Sequence, residues 1–117
     1  MSFLALILIG LGGALGALLR AFAGRCIKSP FPWATLLVNI AGSFLLAVAY
    51  TALPHDAELA RALVGAGFCG AFTTFSTFIL ETVILAKTGN YRDAGLYLSL
   101  TLCLCCLASW GGFYLMA

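Results

Sequence analysis

Polar side chains break an otherwise apolar chain at helical spacing. Thr35, Asn39 and Ser43 recur every fourth residue, as do Tyr97, Thr101, Cys105 and Ser109, and again Thr73, Thr77 and Glu81. Residues four apart share one face of a helix, so each set forms a stripe. Phe72, Phe75 and Phe78 step by three and fall on a face beside the last stripe. The groups on offer are hydroxyls, an amide and ring edges, and only Arg20 and Glu81 are clearly ionisable within the apolar stretches. A proton-driven pump relays protons through several titratable groups, and one carboxylate is a thin supply. Neutral donors suit a small anion instead: the Asn39 amide, the Thr101 hydroxyl and the electropositive edges of Phe75 and Phe78 can replace its water. Fixed positive charge along the path would hold such an ion too tightly to release it. For any one Thr or Ser the simpler role is a bond back to the preceding turn. For the phenylalanines the simpler role is core packing. Three stripes together point to a shared polar path.

The elements that must position these residues follow from composition. Of 117 residues 63% are hydrophobic and 9% are charged, too much apolar surface for a small water-soluble domain. Lipid is the expected solvent, and four spans of about 20 residues each fit the length with short loops. We expect an all-α membrane protein with helices over approximately 2–24, 33–53, 57–87 and 93–116. Six basic and four acidic residues, net +2, are too few and scattered to bind nucleic acid. A signal peptide would need a basic start that Met1-Ser2-Phe3 lacks, so the first apolar run reads as a retained helix. Ser29-Pro30-Phe31-Pro32 ends it, Pro54-His55-Asp56 ends the second, and Asp56 is expected to cap the third.

The third segment is too long: Leu59 to Ala86 as one straight helix would run about 42 Å against a hydrocarbon core of about 30 Å. It must tilt or break. Gly65, Gly67 and Gly70 weaken the helix, and Thr73, Thr74, Ser76 and Thr77 can compete for backbone groups. Irregular backbone at that depth is tolerated only where protein covers it or a polar cavity meets it; a tilted continuous helix is the simpler alternative. Gly65-Ala66-Gly67-Phe68-Cys69-Gly70 spells a dinucleotide fingerprint, but no strand precedes it and no acid lies about 20 residues on. With Gly12, Gly16, Arg20 and Gly24 at four-residue spacing in the first span, these glycines read as close helix packing. The five cysteines, Cys26, Cys69, Cys103, Cys105 and Cys106, lie mostly within spans and read as small buried apolar residues rather than a disulfide framework or a soft-metal site.

Three stretches carry a resemblance: Gly12-Gly13-Ala14-Leu15-Gly16-Ala17-Leu18-Leu19-Arg20, then Trp33-Ala34-Thr35-Leu36-Leu37-Val38-Asn39-Ile40-Ala41-Gly42-Ser43-Phe44, and above all Gly70-Ala71-Phe72-Thr73-Thr74-Phe75-Ser76-Thr77-Phe78. The chain resembles the Fluc (CrcB) family of fluoride channels over nearly its whole length. The resemblance implies a single transmembrane channel domain over residues 1–117, with the third helix broken near its middle, in an antiparallel dual-topology homodimer. It implies two fluoride pathways, no enzymatic activity, and a multi-pass location in the bacterial plasma (inner) membrane. A structural sodium ion at the dimer interface would take the backbone carbonyls of Gly70 and Thr73. Phe75, Phe78 and Asn39 match the family's pore positions, Tyr97 and Thr101 its polar positions on the last helix, and Thr77 and Glu81 the route toward a vestibule. Thr35 and Ser43 extend the Asn39 stripe, and Arg20 would stand near a pore entrance. Cys105 falls where a hydroxyl is more usual.

Two rival functions differ in kind. A small multidrug or cation antiporter of this size resembles others of its class in a first-helix carboxylate, which this chain lacks. A non-transporting assembly subunit would leave liposomes impermeable. Charge bears on topology, because Arg25, Lys28, Lys87 and Arg92 lie on the face of loops one and three while Arg61 is alone on the other. That bias alone would put both termini outside, and a partner chain of opposite bias is the alternative to dual insertion. With dual insertion, an impermeant reagent applied to intact cells should label a tag at either terminus in only part of the population; complete labelling of both termini would exclude it.

Overall fold

The structure, a computed structural model, describes residues 2–116. It contains α1 (Phe3–Cys26), α2 (Trp33–Ala52), a composite third helix, α4 (Phe75–Lys87) and α5 (Tyr91–Met116). The composite helix, here α3, is α-helical over Glu58–Arg61, π-helical over Ala62–Cys69 and α-helical again over Gly70–Phe72. No strand occurs among the described residues. Counting α3 and α4 as one span, four helices are long and apolar enough to cross a membrane. The 49 Å long axis exceeds the roughly 40–45 Å of a bilayer with its headgroups.

Capping accounts for most helix ends. Ser2 accepts a bond from the Ala5 N–H at the start of α1, and Thr74 accepts one from the Thr77 N–H at the start of α4. The expected cap by Asp56 is corrected. The third helix starts at Glu58, with Ala57 at the capping position and no side-chain bond there. Asp56 sits inside a turn that the Ala57 N–H closes onto the Pro54 carbonyl at 3.1 Å. Arg61 supplies the polar contacts at this end of the bundle. Its guanidinium lies 4.6 Å from the Tyr50 ring centroid and donates to the carbonyls of Tyr50 and Leu53, the exposed end of α2, where a cation also meets the negative end of the helix dipole.

Two helix pairs build the bundle: α1 lies along α3, and α2 along α5. The first pair rests on glycine. A Cβ at Gly12 would collide with the Leu63 carbonyl, and one at Gly16 with the Phe68 carbonyl. The two glycines are one α-turn apart and the two carbonyls one π-turn apart, so the wider helix keeps its oxygens in step with the narrower one. Contacts of Cα–H with carbonyls are favoured at such close crossings. The second pair closes where a Cβ at Gly112 would lie 2.8 Å from the Ala47 methyl. Between α2, α4 and α5, Leu36, Phe78, Leu85, Ala94 and Tyr97 form the buried core.

The cysteine expectation holds only for Cys69. Cys105 is half-buried and Cys26, Cys103 and Cys106 are exposed, all five as free thiols. The reason is that α5 buries a single face, marked by Ala94, Tyr97, Thr101 and Gly112, leaving its other positions on the bundle surface.

Glycine packing is directly testable. Gly12→Ala and Gly16→Ala are expected to lower stability by about 1–3 kcal/mol each through overpacking. Gly24→Ala, with nothing within 4 Å of an added Cβ, is expected to raise it by about 0.5–1 kcal/mol. Thermal unfolding of the three variants in detergent should rank them in that order.

Candidate functional site

The break between α3 and α4 lies at Thr73 and Thr74, whose backbones are extended (φ −85°, ψ 156° and φ −150°, ψ 114°). At bilayer depth every freed peptide group needs a partner. Asn39 supplies two. Its Oδ1 accepts the Thr74 N–H at 2.8 Å, and its Nδ2 donates to the Thr74 carbonyl at 3.2 Å. Arg20 supplies a third, donating from Nε to the Ala71 carbonyl at 2.9 Å. Thr73 turns back on its own helix, with N–H and Oγ1 both on the Cys69 carbonyl. Close approach of α2 requires Gly42, where a Cβ would strike the Thr73 methyl.

The break also corrects the stripe through the third span. Thr73 belongs to the end of α3, so it leaves the face that Thr77 and Glu81 share on α4, and the two sides open on different cavities. One cavity, about 420 Å³, is lined by Arg20, Lys28, Thr35, Thr74, Thr77 and Glu81 and lies toward loop one. The other, about 270 Å³, is lined by Asn39, Ser43, Thr73, Phe75, Phe78, Thr101 and Cys105, with Thr74 on both. The phenylalanine series breaks at the same point. Phe72 stacks on Phe68, while Phe75 meets Phe78 edge-on at 5.8 Å.

Placement of the remaining candidates is uneven. Thr35, Asn39 and Thr101 are buried polar residues, and Phe78 is 2% exposed. Phe75 is 71% exposed, standing outward at the rim of the smaller cavity. Tyr97 lines neither cavity. It is fully buried, edge-on to Phe78 at 5.2 Å and to Phe31 at 5.6 Å, and its hydroxyl donates to Glu81 at 3.2 Å. It therefore orients Glu81 from behind. Ser109 lies outside both linings. Lys28, missed as a site candidate because it reads as a loop charge, joins Arg20 in the wall of the larger cavity.

Hydroxyl partners separate the ordinary threonines from the unusual one. Thr51, Thr73, Thr82 and Thr88 each donate to the carbonyl four residues back. Thr101 does not: its Oγ1 is buried without a hydrogen-bond partner among the described residues, on the wall of the smaller cavity. Such a group costs about 1–3 kcal/mol unless something in the cavity meets it. The electrostatics at the break have two signs. The positive end of α4 begins at the smaller cavity, and the negative end of α3 stops at Phe72 and Thr73. Because the Thr74 N–H is committed to Asn39, it is withheld from the Gly70 carbonyl. Gly70 is exposed on the bundle surface. Among the described residues no three His, Cys, Asp or Glu side chains gather as a metal site, so a hard cation here would find backbone oxygens, the donor type it prefers.

The sequence profile of the family described as CrcB-like protein, Camphor Resistance (CrcB), matches residues 7–113. A relative from Campylobacter jejuni named fluoride-specific ion channel FluC is 37% identical over 114 aligned positions, covering 92% of this chain and 93% of the relative. Relatives of the same name from Shewanella woodyi and another Shewanella are 46% identical over 107 positions and 43% over 106, covering 86% of this chain and 86% of each relative. With four apolar spans and a glycine-threonine break in the third, the chain belongs to the CrcB family.

Proposed function

We propose that this protein is a passive fluoride channel that drains the ion from the cytoplasm, and not an enzyme. The observation that carries the reading is the unpartnered Thr101 hydroxyl, buried on a cavity that also holds the Asn39 amide and the edges of Phe75 and Phe78. A small anion satisfies that hydroxyl and gains back part of the hydration it leaves behind. The relatives' printed name, fluoride-specific ion channel, gives the anion its identity.

In this reading fluoride gathers in the larger cavity, where Arg20 and Lys28 raise its local concentration. It then passes the Thr77 and Thr35 hydroxyls and the Thr74 peptide into the smaller one. Glu81, held by Tyr97, keeps the larger cavity from becoming a sink for anions. Asn39, Ser43, Phe78 and Thr101 coordinate the ion in the smaller cavity. Beyond Leu46, α2 offers only Ala47, Val48 and Ala49, so one chain supplies a polar route part of the way across. A second copy inserted antiparallel would supply the rest and cover Phe75. The homodimer, two pathways and dual topology all follow from that requirement, as does a multi-pass location in the bacterial inner membrane. A sodium ion at the dimer interface fits the released Gly70 carbonyl, with Thr73 beside it; when bound, it supplies fixed positive charge next to the route without blocking it.

The physiology needs no energy source. Hydrogen fluoride crosses lipid, dissociates in a less acidic cytoplasm and leaves fluoride trapped. An inside-negative voltage drives the ion out with about 2.3 kcal/mol per charge per 100 mV. The antiporter reading lacks its relay of titratable groups, since Glu81 stands as the one carboxylate on either cavity.

Two measurements test the assignment. Phe75→Ile and Asn39→Ala should abolish fluoride efflux from proteoliposomes while the purified proteins keep their helical content; undiminished efflux in both would refute the pathway. Thr101→Val should cut efflux by about tenfold or more while leaving thermal stability equal or higher by about 1 kcal/mol, because it removes an unsatisfied hydroxyl. A variant less stable than the parent and equally conductive would show that Thr101 serves packing alone.

A further inference from the structure

We infer that Asn39 is a positioning residue that couples cation binding at the break to anion binding in the smaller cavity, using one amide for both. The inference rests on the channel reading for the identity of the two ions, but the clamp itself is geometric.

An uninterrupted helix would send the Thr74 N–H to the Gly70 carbonyl four residues back. Asn39 Oδ1 takes that N–H at 2.8 Å, so the Gly70 oxygen keeps its lone pairs for another partner. Asn39 Nδ2 then donates to the Thr74 carbonyl at 3.2 Å, and the paired contacts fix the Thr74 peptide plane. A primary amide carries two N–H groups. One is spent on Thr74, and the other is left for the cavity that Asn39 lines. The amide is 7% exposed, which leaves little room for water to replace it. Arg20, on the Ala71 carbonyl, holds the end of α3 from the opposite flank and makes no contact with Thr74.

The consequence is a linkage. Polarising the amide by an anion at its free N–H strengthens its hold on the Thr74 peptide, and that hold keeps the Gly70 carbonyl open to a cation. By reciprocity, sodium at the break raises fluoride affinity by the factor by which fluoride raises sodium affinity. Without the Asn39 acceptor, the Thr74 N–H returns to Gly70 and the cation loses a ligand.

The test is a sodium titration of purified protein carrying a ¹³C label at the Gly70 carbonyl, read by NMR with potassium as the control cation. Sodium should move the resonance in the wild type. Asn39→Ala should raise the midpoint by about tenfold or more, the equivalent of one lost hydrogen bond. Asn39→Ser is the second variant should the alanine protein fail to assemble, and the same shift is expected. Asn39→Asp keeps the acceptor and should hold the midpoint within about threefold while fluoride efflux collapses, because a carboxylate then faces the anion. A midpoint independent of residue 39, or an aspartate variant as weak as alanine, overturns the inference even if efflux is normal. A residue-39-dependent midpoint in a protein that passes no fluoride sustains the clamp and removes the channel reading.

Discussion

The structure depends on what happens to the peptide groups at Thr73 and Thr74. A helical ladder left open in hydrocarbon is costly, and here the opening persists because two neighbouring spans reach into it. Asn39 takes both polar groups of one peptide and Arg20 takes a carbonyl one turn earlier. Removing the break would carry Thr73 onto the Thr77 face and merge two cavities' walls into one stripe. Keeping it turns a single long span into two half-helices of opposite polarity meeting at one depth. The proposed anion route and the proposed cation site are both consequences of that meeting.

The glycine contacts set where the opening falls. Gly12 and Gly16 press α1 against the Leu63 and Phe68 carbonyls, and the π-helical Ala62–Cys69 stretch keeps those oxygens in register. α1 thereby delivers Arg20 to Ala71. On the other side, Gly42 lets Thr73 approach α2 closely enough for Asn39 to reach Thr74. Small residues on two spans therefore place the polar clamp on the third. The stability of the bundle and the chemistry of its centre share the same contacts.

Much of this was legible in the sequence. Apolar run lengths and the proline turns placed the spans, and the excess length of the third, with its glycines and threonines, signalled interruption. The stripes on α2 and α5 did converge, because those helices run alongside each other with Thr35, Asn39 and Thr101 all on the buried side. Periodicity failed where the helix itself failed: Thr73 and Phe72 obey α3, while Thr77, Phe75 and Phe78 obey α4. Tyr97 could not be told from a lining residue by spacing, since its ring packs on Phe78 and only its hydroxyl turns toward Glu81. The π-helical stretch and the doubly bonded Asn39 amide were invisible for a related reason. Both arise from contacts between spans, not from local composition.

Cooperation between neutral donors and one released carbonyl is the central claim, and its most direct consequence is selectivity among halides. The decisive measurement is efflux from proteoliposomes of the purified wild-type protein, read with fluoride- and chloride-sensitive electrodes under the same imposed potassium gradient and ionophore. A small, strongly hydrated anion gains most from close donors at fixed positions, so rapid fluoride release with chloride retained is the predicted result. Equal release of both halides, or release of neither, would contradict the account.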